Sequence, residues 1–121
     1  MVKTSYYTNY QAIQNSGLVP VRISRGSPRF RLPYELQWVV DELCPPAAIG
    51  RLPVDEFEAA YLSGLQKIGV DKIAKAMYDG CGPKIILLCF CKPQLDGSIL
   101  CHRRMFADWW EEQTGELVEE L

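Results

Sequence analysis

Between residues 87 and 110 the chain reads LLCFCKPQLDGSILCHRRMFADWW, a stretch holding three of its five cysteines, its one histidine and an adjacent pair of arginines. A cysteine attacks or ligates as its thiolate, and a helix N-terminus or a neighbouring cation can lower the thiol pKa from ~8.5 to about 3.5–7.5. Cys101 precedes His102, Arg103 and Arg104 and is expected at the first turn of a helix, so both conditions meet there. Cys89, closing an apolar run, is the alternative nucleophile, with His102 as proton carrier.

Cys89, Cys91, Cys101 and His102 also have the residue types of a zinc site. Their spacing argues the other way. Structural zinc ligands are usually paired two to four residues apart. Here the cysteines are separated by Phe90 alone, and Cys101 and His102 are adjacent. An extended Cys89-Phe90-Cys91 is expected to send its thiols to opposite faces, unless the chain turns directly after Cys89. The expectation is therefore no metal and no cofactor. Against both chemical readings stands a plainer one, in which the cysteines are small buried apolar groups and the histidine orders a helix start through a backbone hydrogen bond.

Arginine suits anions, because it is always protonated and pairs bidentately with phosphate or carboxylate. Arg22, Arg25, Arg29 and Arg31 fall within ten residues that contain no acid. Arg25 and Arg103 are expected to clamp one anion, with Tyr7 and Tyr10 either lining the pocket or simply packing; the competing reading for Arg103 is an ion pair with an acid such as Asp108. The formal net charge is −2 and the chain closes on EEQTGELVEEL. Nucleic acid is thus possible but disfavoured as a partner, and an anionic small molecule is preferred. Rhodanese-like or phosphatase-like chemistry is not assigned, because Phe90-Cys91-Lys92-Pro93 cannot form a Gly-rich anion cradle.

These groups need elements to position them. With 121 residues, residues 1–121 are read as a single globular domain. Residues 19–24 alternate apolar and polar side chains and read as a strand before the turn signal Gly26-Ser27-Pro28. Residues 84–90, KIILLCF, form a continuous apolar run that suits a central strand buried on both faces. A short strand is expected near residues 2–6. Helices are expected over residues 54–68, over 71–78 with Asp71 as cap, and from about residue 102 to the stop at Gly115. The proline-rich stretch 44–53 reads as an ordered loop. Strands separated by helices imply an α/β fold, a small mostly parallel sheet flanked by helices, with ligands at the C-terminal strand ends.

No stretch approaches the ~18 apolar residues of a membrane span, and MVKTSYYTNYQAIQNSG at the start has no apolar run of signal-peptide length, so no membrane partner and a cytoplasmic location are expected. Open sheet edges and the adjacent Trp109 and Trp110, which cannot share one helix face, leave a homodimer open.

SYYTNY, VPVRISRGSP, LLCFCKP and LCHRRMFADWW occur in that order and together resemble domain-of-unknown-function family 488. The resemblance spans most of the chain and implies an α/β domain with a polar pocket but no assigned activity. Carried over residue by residue, it implies Tyr7, Tyr10, Arg25, Cys89, Lys92, Cys101, His102 and Arg103 as pocket residues. Where relatives resemble Leu-Leu-Cys-Tyr-Glu-Lys, this chain has Cys91 in place of the glutamate. Two functional classes follow: a small enzyme on a phosphorylated, nucleotide-like or otherwise anionic substrate, or a non-catalytic ligand-binding or nucleic-acid accessory module.

Overall fold

The computed structural model describes residues 1–97 and 100–121. Five strands, β1 (Val2–Tyr6), β2 (Val19–Arg22), β3 (Trp38–Val39), β4 (Ile85–Cys89) and β5 (Glu119–Glu120), form one sheet in the order β3-β2-β4-β1-β5. Every neighbouring pair is parallel. The helices are α1 (Tyr10–Ser16), α2 (Val54–Ile68), α3 (Val70–Ala74) and α4 (His102–Thr114), with α3 running on into a π-helical turn at Lys75–Asp79. The fold is α/β, as the strand and helix patterning implied. No helix among the described residues is long and apolar enough to cross a membrane.

Strand β4 organises the sheet, because it lies between β1 and β2 and all five of its residues are buried. Side chains alternate along a strand, so an unbroken apolar run serves two cores at once. Ile85, Leu87 and Cys89 join Tyr61, Leu65, Phe106 and Trp110 on one face. Ile86 and Leu88 join Tyr7, Ile13 and Leu18 on the other. The connectivity accounts for this division of helices. The chain crosses the sheet one way through α1, from β1 to β2, and the other way through α2, α3 and α4. Crossovers are almost always right-handed, so opposite directions place the helices on opposite faces.

Several boundaries differ from the sequence expectation. Strand β2 ends at Arg22 rather than at residue 24, although the Ile23 amide still donates to Leu88 O at 3.1 Å. Helix α3 opens at Val70 behind Gly69, whose φ of 93° only glycine adopts easily, and Asp71 sits in the first turn without capping. The loop over 44–53 contains a 3₁₀ turn, Ala47–Ile49. Trp109 and Trp110 are both buried, at 6% and 2% exposure. Helix α4 is covered by the sheet and by α2, whose Gln66 accepts from Trp109 Nε1 at 3.2 Å. The Trp-rich face offered as a ground for a homodimer is therefore inside the protein.

Tyr7 belongs to the α1 core. Its hydroxyl donates to Ser24 Oγ at 2.6 Å, and Ser24 passes its own proton to Gly26 O at 2.7 Å. Burial pushes the Tyr7 pKa from 10.0 up to about 12. The fold favours the neutral phenol, so this contribution is complete below pH 10 and is lost as pH rises through about 12. Denaturant unfolding between these limits should show stability falling less steeply in Tyr7→Phe than in the parent, with a cost of ~1 kcal/mol at neutral pH. Identical alkaline slopes would remove Tyr7 as a source of the loss.

Candidate functional site

The C-terminal ends of β1 and β4 mark the place where successive crossovers leave on opposite faces, the usual ligand position in such sheets. Cys89 is the last residue of β4 and faces the α2–α4 core. Phe90 turns to the other side, where its ring meets Tyr7 edge-on at 4.9 Å. The next residue returns to the first side, so the expectation that Cys89 and Cys91 diverge fails. Residues two apart on an extended chain share a face. Cys101 immediately precedes α4 in an extended conformation, φ −145° and ψ 148°. The Sγ atoms of Cys89, Cys91 and Cys101 all lie within 4.8 Å of one another. Cys89 and Cys101 are buried, while Cys91 reaches solvent.

His102 opens α4, and its Nε2 is 2.8 Å from Ile23 O. A carbonyl only accepts, so Nε2 carries the proton and Nδ1 presents a lone pair. That Nδ1 lies 3.6 Å from Cys101 Sγ. Burial lowers the imidazole pKa, which keeps the ring neutral and preserves this tautomer. Its plane stands edge-on to Tyr61 at 5.5 Å.

Arg103 is fully buried, at 0% exposure. Nε and Nη2 grip the Glu120 carboxylate at 3.0 and 2.9 Å, while Nη1 donates to Cys91 O at 2.6 Å and to Cys89 Sγ at 3.0 Å. Burial acts to lower the guanidinium pKa, but Glu120 and Cys89 outweigh it and hold the pKa above the ordinary value. Glu120 also accepts from Thr4 Oγ1 at 2.6 Å, which seats it on the sheet. The acidic C-terminal segment thus supplies the arginine's partner, in place of the Asp108 that proximity in sequence suggested.

The three thiols share protons. Cys91 is held low because Cys101 and Cys89 donate S–H to it. Donation to Cys89 and Cys91, followed by burial, drives Cys101 up. For Cys89, donation from Cys101 acts downward, but its own donation to Cys91 and its burial raise the net value. For Cys101, the thiol preferred from sequence as the nucleophile, both sulfur neighbours and burial act against ionisation.

The other anticipated pocket residues do not join this cluster. Arg25 and Lys92 are exposed. Tyr7 lies across the sheet, and Tyr10 tilts against Tyr34 at 6.4 Å on that same side. Arg103 has its donors committed to protein groups, so Arg25 and Arg103 form no shared anion clamp. Two hollows open beside Cys101: one of about 260 Å³ that holds Arg104 with Glu58, Asp108 and Glu112, and an apolar cleft of about 180 Å³ walled by Leu52, Val54, Phe57, Leu100 and Met105. Cys91, Cys101 and His102 complete its lining, in which no charged side chain appears among the described residues. The sequence reading missed Ile23, whose carbonyl fixes His102, and Glu120, whose carboxylate fixes Arg103; β-patterning near 19–24 and the basic His-Arg-Arg run were the available signals.

No family model, no curated protein and no solved structure matches the chain.

Removing Glu120 leaves a buried guanidinium without its counter-charge, unlike an exposed pair whose loss costs ~0–1 kcal/mol. Glu120→Ala should cost about 3 kcal/mol in denaturant unfolding, a figure that allows for the 19% exposure of the Glu120 side chain. A loss below ~1 kcal/mol would show that solvent already screens the pair.

Proposed function

We propose that this protein is a metal-thiolate domain, in which Cys89, Cys91 and Cys101 hold one thiophilic ion of the zinc class at the C-terminal edge of the sheet. The observation that carries the reading is the mutual approach of three sulfurs from two chain segments, within 4.8 Å. Tetrahedral zinc with Zn–S near 2.3 Å needs sulfurs ~3.8 Å apart, so a contraction of at most about 1 Å closes the set. Cysteines serving only as buried apolar groups have no reason to gather sulfur to sulfur.

The surroundings support the same reading. Thiolate sulfur selects zinc and similar soft ions over magnesium or calcium. Arg103 Nη1 donates to Cys89 Sγ, the kind of outer hydrogen bond that orients a ligand and moderates its charge. Solvent reaches Cys91, which gives an ion its way in. The same arrangement gives little support to an anionic substrate, because the described lining of the apolar cleft offers no cation and Arg104, in the neighbouring hollow, stands among Glu58, Asp108 and Glu112.

Reduced protein should bind one equivalent of zinc, and cobalt in its place should give thiolate-to-metal charge-transfer absorption. Cys91→Ser and Cys101→Ser should each weaken binding by more than ~100-fold. Cys44→Ser should not, since that thiol is 3.5 Å from Ser24 O and Val40 O and stands outside the cluster. Zinc at 100 times its dissociation constant should add ~2.7 kcal/mol to stability, reversed by a chelator. Absence of binding by the reduced parent, or equal affinity in the cluster variants, would sink the proposal.

A further inference from the structure

From the metal-thiolate reading, on which this step rests, we infer that the fourth coordination position takes an uncharged thiol with a small apolar body, delivered through the cleft. Three protein ligands leave one corner of a tetrahedron, the arrangement by which zinc sites admit an outside ligand rather than a closed protein set. Among the described residues no histidine, aspartate or glutamate joins the three sulfurs within the 4.8 Å that groups them. His102 is the nearest alternative, and its ring is held from the far end. Nε2 is tied to Ile23 O at 2.8 Å and the ring stands edge-on to Tyr61, which leaves Nδ1 3.6 Å from Cys101 but outside the group of three sulfurs.

The cleft decides what can come to that corner. Cys91 and Cys101 are part of its lining, and Leu52, Phe57 and Met105 wall it. A charged donor would surrender hydration there, and the described lining offers it no charged partner in exchange. An oxygen donor would be a poor match for an ion already chosen by sulfur. A neutral thiol meets both conditions: its carbon body is buried against the apolar wall and its sulfur meets the ion. At about 180 Å³ the space is smaller than the ~300 Å³ of drug-sized sites, which limits the body to roughly the size of one aromatic ring. On binding, the metal–sulfur bond forms, the thiol proton passes to bulk water, and any water held at that corner leaves; no redox partner is needed.

The test uses the cobalt-loaded full chain, titrated with phenylmethanethiol and, separately, with the charged 2-mercaptoethanesulfonate, both alkyl thiols that are protonated at neutral pH. Phenylmethanethiol should add charge-transfer intensity that saturates at one equivalent, at a concentration at least ~10-fold below that needed by the sulfonate. Val54→Asp changes an exposed residue at the cleft mouth and should weaken phenylmethanethiol about tenfold, while the cobalt spectrum without thiol stays unchanged. Equal response to the two thiols would overturn selection by the cleft. A response to phenylmethanethiol that appears only in His102→Ala would overturn the open corner, by showing that the imidazole closes it. Loss of the cobalt bands on adding thiol would overturn ternary binding. Failure of the earlier reading looks different, since cobalt would then give no thiolate bands before any thiol is added.

Discussion

A single buried guanidinium ties together the parts of this fold that chain order keeps apart. Arg103 projects from the first turn of α4, takes Glu120 of β5 with one edge, and with its remaining donor holds the sulfur at the end of β4 and the carbonyl of Cys91. A cation out of water is tolerated only when its donors are satisfied and its charge is met, which demands that three elements reach it together. The position of Cys91 follows from this demand. The segment after β4 is directed by a 2.6 Å hydrogen bond to its backbone, and the side chain is delivered to the other two cysteines.

The architecture was legible wherever one signal dominated. The uninterrupted apolar run of β4 could only be a strand serving two cores, and α2 carries both an apolar stripe and acids in its first turn. The weaker elements escaped because their signals are carried by other parts of the chain. Strand β3 is two residues long and exists as an edge beside β2; β5 is made of two glutamates, poor strand formers that owe their place to β1 and to Arg103. Helix α1, seven residues with a single buried side chain at Ile13, is held by its core contact more than by propensity.

The site was legible in residue type and not in partnership. Cys89, Cys101 and His102 stood out, and all three come to one edge. Spacing rules misjudged Cys91, because separation in sequence was read as divergence when period two brings alternate residues back to the same side. The arginines were misjudged for a different reason: exposure decides whether a guanidinium is available to a ligand, and a run such as His-Arg-Arg contains no information on which member will be covered. Here helix α4 turns Arg103 inward beneath β5, while Arg104 reaches Thr4 Oγ1 and Val118 O.

Placing β4 at the centre of the sheet also fixes an order of events during folding. Val2 pairs with Ile85 and Val19 pairs with that same residue from the other side, so β1 and β2 do not pair with each other and are joined through a strand that lies far along the chain. Loops of this length must close before any reward in hydrogen bonds arrives, which makes for slow, non-local assembly. On a ribosome β1 would emerge and wait with both edges unpaired, and β2 with only the two residues of β3 beside it, until residues 85–89 had been made. A chaperone, or shielding of those edges by α1, would matter most in that interval.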